Sequence, residues 1–168
     1  MAVNLIVLPL TKNNFKKIDQ TGLIMNEAAA TTDRRKPRII LVDDEKHMLQ
    51  LFELYIREWF KEVDLVLFQN GDTAWEELNR QAPDLLITDW YHPGLDGGEM
   101  VRKLAQTQSR IPVLMISACD WEYVREFADS GIKVVFLQKP FSSEQLWRAL
   151  NELIGPCDFP VRVPAFAK

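Results

Sequence analysis

From residue 38 onward the sequence predicts an α/β fold, a doubly wound five-stranded parallel sheet with helices on both faces. Short runs rich in Ile, Val and Leu recur at 39–42, 63–68, 85–88, 113–116 and 134–137, each of strand length and too apolar for a surface strand. Amphipathic stretches of about three turns alternate with them, the pattern of parallel strands joined by helical crossovers. Right-handed crossovers then cover both sides of the sheet.

Residues 1–37 show no sustained period and end in Asp33, Arg34, Arg35, Lys36 and Pro37, which reads as a flexible extension with a solvated basic linker. Met25, just ahead of the ordered part, is the expected physiological start. After the first strand, Met48, Leu51, Phe52, Tyr55, Ile56 and Trp59 recur at helical spacing and predict a core-facing stripe. Ala74 and Leu78 mark a second helix, and Met100, Val101 and Leu104 a third. A fourth carries Trp121, Val124, Phe127 and Ala128. A fifth carries Leu146, Ala149, Leu150, Leu153 and Ile154 behind a capping box of Ser142 and Gln145. Gly155 and Pro156 stop it, and 155–168, with Pro160 and Pro164, reads as a tail. One domain over 38–154 is expected, standing alone and passing its output to a partner.

Composition narrows the function. A chain of 168 residues, 47% hydrophobic, supports one sizeable core, and a net charge of −4 argues against direct contact with nucleic acid. Cys119 and Cys157 form neither a metal-type pair nor a disulfide framework, which fits a cytoplasmic location. The apolar run at 3–10 lacks a basic flank and a cleavage site, so no signal peptide is read. No stretch approaches the roughly 18 residues that a membrane span needs, so no insertion is expected.

Sheets of this kind bind ligands at the carboxyl ends of their strands. There stand Asp43 and Asp44 after the first strand, Asp89 after the third, Ser117 after the fourth, and Lys139 with Pro140 after the fifth. Taken singly, each has a plainer role: Asp44 or Ser117 as a helix cap, Asp89 as an acid ahead of the turn at Pro93 and Gly94, Lys139 as a solvated charge. Together they pose a problem, because two carboxylates about 4 Å apart repel by roughly 4 kcal/mol at an effective dielectric of 20. A divalent ion and the Lys139 ammonium would offset this, which suits a site for a metal and an anion together.

The segments RIILVDDE, PDLLITDWYHPGLDGGEM, IPVLMISA and FLQKPF, in this order and spacing, resemble the CheY-like receiver domains of response regulators over residues 38–154. The resemblance implies a flavodoxin-like sheet and a phosphorylation-dependent switch of a two-component system. It makes Asp89 the phosphoacceptor, Ser117 and Lys139 the phosphoryl contacts, and Phe136 the switch aromatic. Asp43, Asp44, Asp89 and the Tyr91 carbonyl become the ligands of Mg²⁺ or Mn²⁺. A cis bond between Lys139 and Pro140 is also implied. The phosphoryl donor is then a sensor histidine kinase or histidine phosphotransfer protein. The target is a protein bound at the face of the fourth helix, fifth strand and fifth helix, with dimerisation of the phosphorylated form left open. Such a chain assists its own Mg-dependent phosphorylation and dephosphorylation without being an enzyme.

Two positions depart from the common pattern. Tyr91 and His92 stand where many relatives have a polar residue and then methionine. The Tyr91 ring is expected to alter water access to an aspartyl phosphate, and His92 to be an exposed loop histidine. His47 is assigned no role. Trp121, Tyr123 and Trp147 lie near the output face, where aromatics suit partner contact, with burial of Trp121 and edge-covering by Trp147 as the plainer alternative. Rival readings are a phosphorylation-independent adaptor, a small aspartyl-phosphate hydrolase and a nucleotide-binding domain. The intact set of five polar residues speaks against the first, the lack of a second loop acid at acid-base spacing against the second, and the lack of a glycine-rich loop against the third.

Overall fold

The computed structural model describes residues 36–118, 127, 130–154, 163–164 and 166. In chain order these form β1 (Arg38–Val42), α1 (Lys46–Trp59), β2 (Asp64–Phe68), α2 (Gly71–Arg80), β3 (Leu85–Asp89), α3 (Gly97–Gln106), β4 (Val113–Ser117), β5 (Val134–Gln138) and α4 (Ser143–Leu153). Helix α4 is the fifth helix of the sequence reading. Of the fourth, only Phe127 is described, and it is buried as predicted. Cys119, Trp121, Tyr123, Val124, Ala128, Gly155, Pro156, Cys157 and Pro160, like Met25, Arg34 and Arg35, lie outside the described residues.

All five strands pair in parallel, in the order β2-β1-β3-β4-β5. Successive side chains of a strand point to opposite faces, so a strand buried on both sides must be apolar throughout. Ile39, Leu41, Leu85 and Ile87 accordingly pack beneath α1 and α4, against Phe52, Ile56, Trp59, Leu146 and Leu150. Ile40, Val42 and Leu86 point the other way, toward Ala74 and Leu78 of α2 and Met100, Val101 and Leu104 of α3. Helices thus cover both faces, as predicted. At the sheet's far end the buried Arg38 guanidinium pairs with Asp64 at 2.5 Å and with Glu77.

Two expectations about the apolar stripe need correction. Leu51 is 37% exposed, and Leu49, at 7%, takes the core position, because Phe52, Ile56 and Trp59 set the buried stripe and Leu49 sits one turn before them. Trp147 is a core residue, neither a partner contact nor an edge cover: it is 6% exposed, with its ring edge-on to Trp59 at 5.3 Å. In the expected tail, Pro164 is buried and Phe166 stands edge-on to the same Trp59 at 6.4 Å, so this part returns to the α1 side of the sheet. The capping box forms as predicted: Ser142 Oγ accepts from the Gln145 amide, and the Ser142 amide donates to Gln145 Oε1.

Candidate functional site

β1 and β3 are neighbours from which the sheet is built outward in opposite directions, and a crevice opens at their carboxyl ends. Asp43 follows β1 directly. Its amide donates to the Phe68 carbonyl at 3.1 Å, and its Oδ1 accepts from the Glu45 amide at 2.8 Å, an Asx turn that ends the strand and sets the start of α1. The N-cap is Glu45, without a side-chain cap bond, so Asp44 is not the cap. The Asp44 side chain is exposed, and its carbonyl accepts from Gln69 Nε2 at 2.8 Å. Asp89 is the last residue of β3 and is buried. Ser117 ends β4, also buried, and its carbonyl accepts from the Lys139 amide at 2.8 Å.

Lys139 draws the strand ends together. Its Nζ lies 2.5 Å from Asp89 Oδ2, 3.2 Å from Asp43 Oδ2 and 3.8 Å from Glu45 Oε1. The Lys139–Pro140 peptide bond is cis. The partners respond in opposite senses. Burial pushes the Asp43 carboxyl above its ordinary value of 3.8, and the hydrogen bond from the Glu45 amide and the shared Lys139 ammonium only partly offset it. Burial also opposes the Lys139 charge, but the bonds and attraction from Asp89 and Asp43 together outweigh it and hold the ammonium above 10.5. One cation serves two carboxylates; it is well satisfied while the most buried acid is not.

A stability prediction follows. Between 3.8 and the raised folded value of Asp43 the folded chain holds more protons than the unfolded one, so this residue withdraws stability as pH rises through that window. Lys139 contributes stability that is present below 10.5 and lost as pH rises through its folded value. Asn at position 43 keeps the oxygen that accepts from the Glu45 amide and leaves Lys139 on Asp89. In metal-free buffer, Asp43→Asn should therefore raise the thermal midpoint at pH 7, with the gain vanishing as the pH falls below 3.8. Melting curves over a pH series check this, and a lowered midpoint at pH 7 contradicts it.

The loop between β3 and α3 is strapped to the start of α2. The Gly71 amide donates to the Pro93 carbonyl at 2.8 Å, and the Leu95 amide to Asp72 Oδ1 at 3.0 Å. Asp96 caps α3 by accepting from the Glu99 amide at 2.7 Å. Gly94, at φ 80°, turns the chain where other residues are strained. Within this loop the Tyr91 amide donates to Asp89 Oδ1 at 3.3 Å, and the Tyr91 ring is 56% exposed. His92 is not the exposed histidine expected. It is 8% exposed, with Nε2 3.0 Å from Thr88 Oγ1, because the strapped loop turns the ring under itself. Phe136 is buried and stacks on Phe127 at 6.3 Å, which in turn meets Trp90 at 6.0 Å.

Asp43, Asp89 and Lys139 thus meet directly, Ser117 is joined to them through the Lys139 backbone, and Asp44 and Tyr91 sit on the rim. Gly71, Asp72 and Thr88 were missed by sequence reasoning. Among the described residues no three His, Cys, Asp or Glu side chains are grouped as a metal cage. Mg²⁺ asks for less: one or two carboxylates, with water and phosphate completing its shell. The hard oxygens of Asp43 and Asp89 fit such an ion.

Among similar proteins is the phosphate regulon transcriptional regulatory protein PhoB of Rhizobium meliloti (strain 1021), 34% identical over 122 residues, 70% of this chain and 52% of PhoB. The chain therefore spans about half the length of that relative. Among solved structures, chemotaxis protein CheY4 of Vibrio cholerae, at 21% identity, has the same fold, with a TM-score of 0.61 over 71% of this chain and all (100%) of CheY4. The receiver domain of sensor histidine kinase PA1611 from Pseudomonas aeruginosa PAO1, solved with a magnesium ion coordinated in its active-site cleft, is 25% identical, with a TM-score of 0.59 over 71% of this chain and 98% of that one. No helix among the described residues is long and apolar enough to cross a membrane. Residues 39–151 match the model of the response regulator receiver domain, more than half of the chain, and the chain belongs to that family.

Proposed function

We propose that Asp89 accepts a phosphoryl group from a phosphohistidine on a sensor kinase or phosphotransfer protein, and that the chain acts as a cytoplasmic signalling switch of a two-component system. The observation that supports this most is the Lys139 ammonium held between the Asp89 and Asp43 carboxylates at the sheet's switch point. Asp89 Oδ attacks phosphorus in line, the bond from phosphorus to the donor imidazole nitrogen breaks, and the electron pair stays with that ring. Lys139 already touches Asp89 Oδ2, so its charge stands beside the entering group without reorganisation. Asp43, Asp89, the rim acid Asp44 and the Tyr91 carbonyl would hold Mg²⁺ or Mn²⁺. That ion neutralises charge on the phosphoryl oxygens when bound.

The product adds about two negative charges beside Asp89, which attract the Lys139 ammonium and the Ser117 hydroxyl. Ser117 sits in β4, next to the strand that carries Phe136. Phe136 has no hydroxyl and is packed on Phe127. The switch therefore acts by repacking this aromatic chain and reshaping the surface of β5 and the helices beside it, where a protein target binds. The test is direct: incubation with acetyl phosphate and Mg²⁺ should add one phosphoryl mass, mapped to the peptide containing Asp89. No added mass favours the adaptor reading, and sustained turnover of the donor on the scale of an enzyme favours the hydrolase.

The Tyr91 amide reaches Asp89 Oδ1 at 3.3 Å, and the exposed Tyr91 ring is carried on the same residue, two positions from the acceptor. A ring there restricts the approach of a water to the aspartyl phosphate, whereas the shorter Asn leaves that approach open. Tyr91→Asn should shorten the phosphoryl lifetime about tenfold, corresponding to roughly 1.4 kcal/mol in the hydrolysis barrier. Loss of the added mass with time measures it, and an unchanged decay rate removes the ring from the account.

A further inference from the structure

Phosphoryl transfer as described above makes no use of His92. The ring is nevertheless enclosed: a Cβ on Gly71 would stand 2.6 Å from its Cε1. Its Nε2 lies 3.0 Å from Oγ1 of Thr88, a residue with no exposed surface. The Thr88 hydroxyl owns a single hydrogen, which it donates to the Asp89 carbonyl oxygen at 2.9 Å. With that hydrogen so placed, the His92 contact is a bond in the Nε2–H tautomer of the ring, which donates to Thr88 Oγ1. A two-bond relay thus begins on the histidine and ends on the peptide of the phosphoacceptor.

That peptide is where orientation is decided. Gly97 packs so closely on the Asp89 carbonyl that a Cβ there would overlap it, and the Tyr91 amide reaches back to Asp89 Oδ1 at 3.3 Å. A rotation of the Asp89–Trp90 peptide would therefore carry the carboxylate and the Tyr91 backbone with it. The Trp90 amide, donating to the Ile116 carbonyl at 2.8 Å, fixes one side of this peptide; the Thr88 hydroxyl holds its carbonyl from the buried side, and His92 holds the hydroxyl.

We propose that His92 is a positioning residue: by donating to Thr88 Oγ1 it locks the Asp89 peptide in the orientation that presents the carboxylate to phosphorus. This rests on the reading of Asp89 as the acceptor. An apolar side chain of similar bulk would fill the space without making the bond, so packing and positioning separate by substitution. His92→Met should lower the maximal rate of Asp89 labelling by acetyl phosphate in saturating Mg²⁺ about tenfold, with the apparent KM for the donor unchanged. His92→Gln, whose Nε2 can donate in the same place, should recover the rate to within about twofold. Thr88→Val should lose as much as His92→Met, Thr88→Ser should stay near wild type, and the double variant His92→Met with Thr88→Val should lose no more than either alone. Amide exchange over residues 90–97, read on the same proteins, should rise in the Met and Val variants and return in the Gln and Ser variants.

The outcomes separate. A wild-type chain that takes no label overturns the acceptor reading, and the positioning role with it. Label on the wild type with unchanged rates in His92→Met and Thr88→Val overturns the positioning role alone. So does a loss that Gln does not restore, or losses that add in the double variant, since the ring would then act by packing.

Discussion

Asp89→Asn should abolish acquisition of phosphoryl mass, lowering the labelling rate by more than about a thousandfold, or over 4 kcal/mol in the barrier. The amide is nearly the same size and still offers an oxygen to Lys139, but it is not a nucleophile toward phosphorus. The neighbouring buried acid, Asp43, is already engaged. Asp43 accepts from the Glu45 amide through Oδ1 and from Lys139 through Oδ2, and both bonds hold it in the Asx turn. The fold should survive, because the Lys139–Asp43 pair at 3.2 Å remains when Asp89 loses its charge. Intact mass after incubation with acetyl phosphate and Mg²⁺ measures the loss, and circular dichroism checks the fold. Added mass on the variant at a rate near wild type would make another residue the acceptor. A pull-down comparing the two proteins under phosphorylating conditions then isolates partners that depend on the phosphoryl group.

What the sequence disclosed and what it hid divide along a physical line. Strands buried on both faces are mostly apolar, so β1, β3, β4 and β5 stood out as runs dominated by Ile, Val and Leu. The polar residue that ends each run then located Asp43, Asp89, Ser117 and Lys139. Helix faces were read less well. Leu51 and Leu49 are both apolar and two positions apart, and only the direction of the Phe52, Ile56 and Trp59 stripe tells which one is covered. Trp147 looked like a surface aromatic because its helix was taken as an output face. Its ring in fact fills a corner against Trp59 that no local pattern announces. His92 was misplaced for a similar reason. A loop histidine is ordinarily solvated, and its burial depends on contacts between this loop and α2, some twenty residues apart in sequence, which periodicity does not encode.

Those same contacts make Gly71 the position where a single methyl group does most damage. Its amide donates to the Pro93 carbonyl at 2.8 Å, bringing the first residue of α2 directly under the loop. A Cβ built there overlaps the Leu95 carbonyl oxygen and stands 2.6 Å from the His92 ring. The oxygen belongs to backbone, which cannot move aside as a flexible side chain would; the loop itself must lift. Lifting it breaks the Gly71–Pro93 and Leu95–Asp72 bonds together and opens the cover of His92. Gly71→Ala should thus lower stability by about 3 kcal/mol, near 10 °C in the thermal midpoint. Under conditions where the variant remains folded, labelling of Asp89 should also slow, because the displaced loop carries the Tyr91 backbone away from the carboxylate. A helix-interior glycine with free space beside it would instead gain from alanine. The sign of the change in midpoint alone therefore tells whether α2 and the phosphoacceptor loop are in contact. A stabilised Gly71→Ala would mean that the loop is not seated on α2, and the burial of His92 would fall with it.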